Sequence, residues 1–475
     1  MSGPELITLG CRLNMAESEA MRRLAAGADD LIIVNSCAVT NEAVRRTRQE
    51  IRKAKRARPE ARVIVTGCAA QVEPEAFAAM VEVDRVVGNL EKLRPDSFIP
   101  LPASGPVPDS TTTNPVRAEL VEALPFSSSR AEIEEEGRTG LRQAQPERSG
   151  GFEGTSSFLA APRADIRVSD NFAVRDYAPH LAPAFSERER AFLEVQNGCD
   201  HRCTFCIIPY GRGNSRSVPA GLVVDRVKAL VDEGVAEVVL TGVDVTSYGP
   251  DLPGRPSFGA LVERILRHVP DLQRLRLSSL DCIEIDERLF DVITGEARFM
   301  PHLHMSFQAG DDMVLKRMKR RHSRAQAVET VKRLKAKRPE IAIGADLIAG
   351  FPTETDEMHL NSLRLVDECD IVMAHVFPYS PKAGTPAARM PQVDPKVARG
   401  RAKALREASA VRRTAWLQGL VGTRQRVLIE GSGMSGHAEN FAPVTLRPQG
   451  MNEVGKVVEV VIAGVEGETL IGEAL

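Results

Sequence analysis

Gly198-Cys199-Asp200-His201-Arg202-Cys203-Thr204-Phe205-Cys206-Ile207 decides how this chain is read. Its cysteines form a Cys-x3-Cys-x2-Cys run. Three thiolates that close together bind three corners of a [4Fe–4S] cube and leave the fourth iron open to a ligand. An open iron is what an enzyme needs if it is to hold and cleave S-adenosylmethionine. A structural zinc site asks for four ligands, commonly as two Cys-x2-Cys pairs, and no fourth cysteine follows here. His201 falls inside the loop, a poor position from which to complete a zinc tetrahedron.

Outward from this run, strand and helix patterns alternate. The stretches 191–196, 237–242, 274–279, 302–307, 342–351 and 371–379 read as candidate strands. Helical periodicity at 221–233, 258–268, 324–338 and 357–370 separates them. Six such units predict an incomplete parallel (β/α)6 barrel with the cysteine run on its functional C-terminal face. With Phe205 and the following Ile207-Ile-Pro-Tyr-Gly-Arg-Gly213, the run resembles the radical S-adenosylmethionine signature. The resemblance implies that Phe205, Gly242, Ser279, Gln308 and Asp346, at or beyond the strand ends, contact the cofactor. Gly242 stands in a motif whose bare backbone lets the methionine amino group approach. His302 and His304 alternate on one strand, so one is expected to face the interior as an ordinary core histidine. Cys282 and Cys369 match no cluster motif and read as packing residues.

The first hundred residues predict an open parallel α/β sheet. Three apolar runs end at Cys11, Cys37 and Cys68, each followed by a helical pattern, at 15–26, 42–58 and 74–81. Sites in such sheets form beyond the carboxyl ends of the strands, and strands ~4.8 Å apart bring end-of-strand thiols within reach of one cluster. Thr8-Leu-Gly-Cys11-Arg-Leu-Asn, Val34-Asn-Ser-Cys37-Ala-Val-Thr and Val65-Thr-Gly-Cys68-Ala-Ala-Gln resemble the methylthiotransferase N-terminal domain. The interval from Cys11 to Cys37 is about ten residues shorter than that family leads one to expect, which puts the strand count there in question.

Four regions follow: an N-terminal domain at 1–99, a Pro/Ser/Thr/Gly-rich inserted linker at 100–186, a core at 187–415, and a β-rich tail at 416–475. The tail's short strands between glycine-rich turns predict a small five-stranded barrel, and they resemble the TRAM domain, a tRNA-binding module. Two basic stretches could meet a polyanion. One places Arg45, Arg48, Arg52 and Lys55 on a single helical face, and the other holds Lys319 and Arg320.

The 475 residues carry a net charge of −2, with 43% apolar and 27% charged residues and eight cysteines. No apolar run approaches the ~20 residues of a membrane span, and the start lacks a signal peptide's basic and apolar segments. A cytoplasmic protein with reduced thiols, no membrane association and no DNA partner is expected. The motifs around Cys11 and Cys37, with His375-Val-Phe-Pro-Tyr-Ser-Pro-Lys-Ala-Gly-Thr-Pro-Ala-Ala-Arg-Met390, look most like the methylthiotransferase branch acting on N6-threonylcarbamoyladenosine beside the tRNA anticodon. The resemblance implies two [4Fe–4S] clusters, S-adenosylmethionine, tRNA and an electron donor such as flavodoxin or ferredoxin. One S-adenosylmethionine methylates a sulfur held at the N-terminal cluster, and another is cleaved to a radical that takes hydrogen from adenosine C2. The alternatives are the sister enzymes acting on isopentenyladenosine or a ribosomal-protein aspartate, or a non-catalytic iron–sulfur RNA-binding protein.

Overall fold

A computed structural model describes residues 3–98, 164–173, 189–431, 433–447 and 453–474. The N-terminal region runs β1 (Glu5–Thr8), α1 (Arg12–Leu24), β2 (Leu31–Ser36), α2 (Asn41–Ala57), β3 (Arg62–Gly67), α3 (Cys68–Val72), α4 (Pro74–Ala78) and β4 (Arg85–Val87). With β5 (Asp165–Arg167) these strands pair in parallel in the order β1-β2-β3-β4-β5. The continuous apolar run Leu31–Val34 is fully buried, as a central strand covered by helices on both faces requires. The interval between Cys11 and Cys37 holds α1 and β2, and β2 pairs directly with β1. β5 corrects the linker boundary. It lies inside the stretch read as linker, and Arg85 holds it with an ion pair of 3.0 Å to Asp165. Three residues without apolar periodicity give sequence reasoning nothing to detect. Residues 99–163, most of the stretch read as linker, lie outside the described residues.

The core continues with β6 (Arg190–Asn197), α5 (Ile208–Arg212), β7 (Arg216–Ser217), α6 (Ala220–Asp232), β8 (Glu237–Gly242), α7 (Phe258–His268), β9 (Arg274–Leu277), β10 (Ser279–Leu280) and α8 (Glu287–Gly295). It is completed by β11 (His302–Gln308), α9 (Asp312–Met318), α10 (Arg324–Lys337), β12 (Ala342–Ala349), α11 (Asp356–Glu368) and β13 (Ile371–Pro378). Two four-stranded sheets, β7-β6-β8-β9 and β10-β11-β12-β13, form the six-unit partial barrel. The third expected strand breaks at Ser278, between β9 and β10, which is where one sheet passes into the other. Outward side chains such as Leu193, Val238, Leu275, Met305 and Ile343 pack against the helices in one cluster. Residues two apart on a strand share a face, so His302 and His304 both point inward, contrary to the expectation that only one would.

Helix α12 (Pro395–Gly419) leads to β14 (Arg424–Glu430), β15 (Ser435–Ala438), β16 (Pro443–Arg447), β17 (Val457–Glu466) and β18 (Thr469–Ala474). These close into a barrel in the order β14-β15-β16-β18-β17. The tail barrel meets the strand starts of the core. Arg274 donates to the Arg426 carbonyl at 2.7 Å, and Arg276 donates to those of Ala438 and Glu439 at 3.0 and 2.8 Å. Both guanidiniums share the buried Glu237 with Arg190. Phe441 stacks on His302 and His437, with ring centroids 5.0 and 4.5 Å away. No described helix is long and apolar enough to cross a membrane.

Candidate active site

The loop after β6 carries Cys199, Cys203 and Cys206, all half-buried. Burial pushes the Cys206 thiol up to about 12. Burial and the neighbouring Asp244 carboxylate raise Cys199, whose thiol lies 3.4 Å from Asp244 Oδ2. Burial alone thus favours the protonated thiols, and three of them on one loop, with no fourth beside them, have the number and spacing for three-point ligation of a metal cluster. Polar side chains from the segments after β8 and after β10 meet the loop. His201 Nε2 is 3.0 Å from Asp244 and 3.7 Å from Glu284. These contacts, Asp244 first, hold the imidazole up at about 10. Glu284 also accepts from Thr246 and Ser247, at 2.8 Å each. His201, Asp244 and Glu284 thus form one polar cluster beside the cysteine loop.

Arg320, expected on a polyanion-binding surface, instead turns into this loop. It bonds Asp281 and the Ser306 carbonyl at 2.9 Å each and approaches Cys203 Sγ at 3.8 Å. Lys319 is exposed, as the left-handed cap of α9. The α2 cations do lie on one helix, but each has an acidic neighbour. Arg45 pairs with Glu42, Arg48 with Glu73 at 3.0 Å, Arg52 with Glu82 at 3.8 Å and Lys55 with Asp84 at 3.7 Å. That face is therefore close to neutral, and its helical periodicity alone could not reveal the partners.

The residues expected around the cofactor lie on separate elements: Phe205 on the cysteine loop, Gly242, Ser279 and Gln308 at the ends of β8, β10 and β11, and Asp346 within β12. Phe205 packs edge-on against Phe351, with centroids 6.4 Å apart. Gly242 has backbone against it: a Cβ there would sit 2.5 Å from the Gln196 carbonyl oxygen. The bare α-carbon is thus required by strand packing, whatever else it admits. Ser279 is exposed on β10, opposite His304. Gln308 ends β11 with φ 66°, beyond a register irregularity, so its side chain leaves the regular strand direction. Asp346 lies 3.1 Å from His304 and 3.5 Å from His375. Burial works against its charge, but the two imidazoles outweigh it and hold the carboxyl well below the usual range.

The second thiol set lies at the carboxyl ends of β1, β2 and β3, as the spacing predicts. Gly10, at φ 107°, brings Cys11 to Cys37: a Cβ on it would lie 2.8 Å from Cys37 Cβ. Asn14 fixes the same corner by donating to the Leu9 and Ser36 carbonyls at 2.7 and 3.0 Å. Burial raises the Cys11 thiol and pushes Cys37 up to about 11. A buried cation, Arg212, acts on the whole set. Its Nε is 3.1 Å from Cys68 Sγ, and its charge acts on Cys11 and Cys37 as well. Glu17 holds it through two guanidinium bonds, one of 3.0 Å, and Asn14 through another of 2.7 Å. Burial opposes the Arg212 charge, yet Cys68 and Glu17 more than offset it. Three thiols gathered on one buried guanidinium fit an anionic group at this place.

Helix α5 links the two thiol sets. It starts two residues after Cys206 and ends in Gly211 and Arg212, against Cys68. Asn89 from the sheet and Asn171 both donate to the Gly211 carbonyl, at 2.5 and 2.7 Å. Arg212, Asp244, Asp281 and Glu284 join the site without belonging to any of the sequence motifs that define it by spacing. Arg212 sits in Pro-Tyr-Gly-Arg-Gly directly after the cysteine run, and Asp244 lies two residues beyond Gly242, so proximity to motifs was the available signal.

Two family models and several relatives match this chain. The Radical SAM superfamily matches residues 193–366, and the Uncharacterized protein family UPF0004 matches residues 5–88. Fold and matches together define a radical S-adenosylmethionine enzyme, a class that uses that cofactor and a [4Fe–4S] cluster. The threonylcarbamoyladenosine tRNA methylthiotransferase MtaB of Rickettsia prowazekii is 43% identical over 464 residues, covering 97% of this chain and 95% of the relative. That of Aquifex aeolicus is 31% identical over 467 residues, covering 96% and 98%. The tRNA-2-methylthio-N(6)-dimethylallyladenosine synthase of Ruegeria pomeroyi is 29% identical, with both chains covered in full. This chain therefore belongs to the radical S-adenosylmethionine methylthiotransferase family.

Proposed function

We propose that this protein inserts a methylthio group at C2 of N6-threonylcarbamoyladenosine beside the anticodon of tRNA. The observation that carries the reading is the pair of three-thiolate sets joined by α5. It is supported by the 43% identity to a threonylcarbamoyladenosine tRNA methylthiotransferase along nearly the whole chain. Cys199, Cys203 and Cys206 would hold one [4Fe–4S] cluster, and Cys11, Cys37 and Cys68 a second. When bound, the clusters and S-adenosylmethionine supply the radical and the sulfur chemistry. The chain's own part is to orient and to balance charge. Arg212 offsets the negative charge of the N-terminal set, fixed there by Glu17. Arg320 does the same beside Cys203, fixed by Asp281. Asp244 and Glu284 hold His201 and so the shape of the cysteine loop. Asp346, with His304 and His375, and Phe205, Gly242, Ser279 and Gln308 line the side from which cofactor and base enter. Lys319 remains an exposed candidate for phosphate contact, with weaker claims for the paired Arg45, Arg48, Arg52 and Lys55. A cytoplasmic setting and a flavodoxin- or ferredoxin-type donor accord with reductive chemistry on tRNA.

The test is anaerobic reconstitution with iron and sulfide, followed by incubation with reductant, S-adenosylmethionine and tRNA bearing N6-threonylcarbamoyladenosine. Mass spectrometry should find the 2-methylthio nucleoside. Modification only of isopentenyladenosine-bearing tRNA would move the protein to the sister activity.

A further inference from the structure

Among the described buried lysines and arginines, Lys382 alone has neither an ion pair nor a hydrogen bond. It is 5% exposed. The comparable Lys92 meets Glu17 at 2.6 Å, and Arg401 meets Glu354 at 2.8 Å. A buried ammonium without a partner is costly unless something else supplies negative charge. Its charged neighbours are Glu73, already engaged by Arg48, and Cys37 of the N-terminal thiol set. Its Nζ is not among the sealed polar atoms that lack partners, so it keeps an opening.

The loop after β13 delivers Lys382 to this position and is fastened on both sides. Asn41, first residue of the helix that follows Cys37, donates its backbone N–H to Ser380 Oγ at 3.1 Å and its side-chain amide to the Pro381 carbonyl at 3.0 Å. The Lys382 carbonyl accepts from the buried Thr385 hydroxyl at 2.7 Å. A barrel loop is thus tied to the Cys37 corner by bonds that fix the lysine's backbone and leave its ammonium uncommitted. Arg212 already provides a counter-charge at the thiol set, in contact with Cys68.

We propose that Lys382 is a substrate-binding residue that takes an oxyanion of the target nucleotide. This rests on the tRNA reading above. A base presented to the Cys37 corner brings its phosphates with it. If it is threonylcarbamoylated, it also brings a carboxylate on N6, and C2 and the carbon that bears N6 flank the same ring nitrogen. Either group offers the charge-assisted bond that an unpaired ammonium lacks.

Affinity of the full chain for tRNA with and without the N6-threonylcarbamoyl group tests the assignment, in wild type, Lys382→Met and Lys382→Arg. Iron content is measured alongside, and cluster-free samples are included so that iron loss cannot imitate a binding defect. Lys382→Met should bind about 10-fold or more weakly, while Lys382→Arg stays near wild type. Weakening confined to the threonylcarbamoylated tRNA identifies the carboxylate. Equal weakening of both, with a salt dependence shallower by about one charge, identifies a phosphate. Unchanged affinity for both tRNAs overturns the assignment, and iron loss with affinity kept would make Lys382 a counter-charge for the thiol set. A wild type that binds neither tRNA would overturn the RNA reading itself.

Discussion

Glu17→Gln is expected to loosen the N-terminal domain in a pH-dependent way. Glu17 is 4% exposed and bonds Arg212 at 3.0 Å and Lys92 at 2.6 Å. Burial alone would raise its carboxyl, but the two cations bring it down from 4.5 to about 2. A carboxyl moved that far contributes about 3 kcal/mol at neutral pH. The cost of breaking a buried ion pair by removing one partner, about 3–5 kcal/mol, is of the same size. The sign follows from the depressed value. The contribution is complete above the ordinary carboxylate range and is lost as pH falls from about 4.5 toward 2. Hydrogen exchange of α1 and β2 amides in cluster-free wild type and variant reads the local opening free energy. The two proteins should differ by about 3 kcal/mol near neutrality and converge toward pH 2. A difference below about 1 kcal/mol, or one independent of pH, would refute the assignment of this pair as the domain's internal counter-charge.

Further outcomes can be checked independently. Reconstituted wild type should hold about eight irons, and Cys203→Ala about half of them; loss of all iron would refute two separate sites. Cys199, Cys203 or Cys206→Ala should abolish 5′-deoxyadenosine formation, whereas Cys11, Cys37 or Cys68→Ala should permit it but block methylthio insertion; equal loss in both sets would refute separate roles. Phe441→Ala removes two imidazole stacks and the 5.0 Å contact with the Arg276 guanidinium, which together contribute about 2 kcal/mol. Amides at the junction should exchange faster while the five-stranded barrel stays protected; an unchanged junction would count against this anchor. Replacing residues 100–150 with a short Gly/Ser linker should leave iron content and tRNA modification nearly unchanged. A several-fold fall in tRNA affinity would instead mark Arg117, Arg130, Arg138, Arg142 and Arg148 as an RNA-binding arm.

The sequence was most legible where chemistry and periodicity coincide. Apolar runs ending in Cys37 and Cys68 located two strand ends, because a buried parallel strand is largely apolar and stops where the site begins; the run before Cys11 located a third, although β1 is a partly exposed edge strand. Cys199, Cys203 and Cys206 declared themselves by spacing alone. Charged residues were harder to place, since a cation's role depends on partners far along the chain. Arg212 meets Glu17 across 195 positions and Cys68 across 144. Arg320 was read with the exposed Lys319 beside it, yet its side chain turns inward to Asp281. The α2 arginines formed a basic stripe on paper because Glu73, Glu82 and Asp84, which neutralise it, belong to the next turn of the fold. Strand β5 was missed because three residues offer no period to count.

The central claim is most directly tested by nucleoside mass spectrometry of tRNA from a strain lacking this protein. The 2-methylthio derivative of N6-threonylcarbamoyladenosine should vanish while its unmethylthiolated parent accumulates, and the wild-type gene should restore it where a Cys37→Ala copy does not. An unchanged level of that nucleoside, or loss of the isopentenyladenosine derivative in its place, would contradict the account.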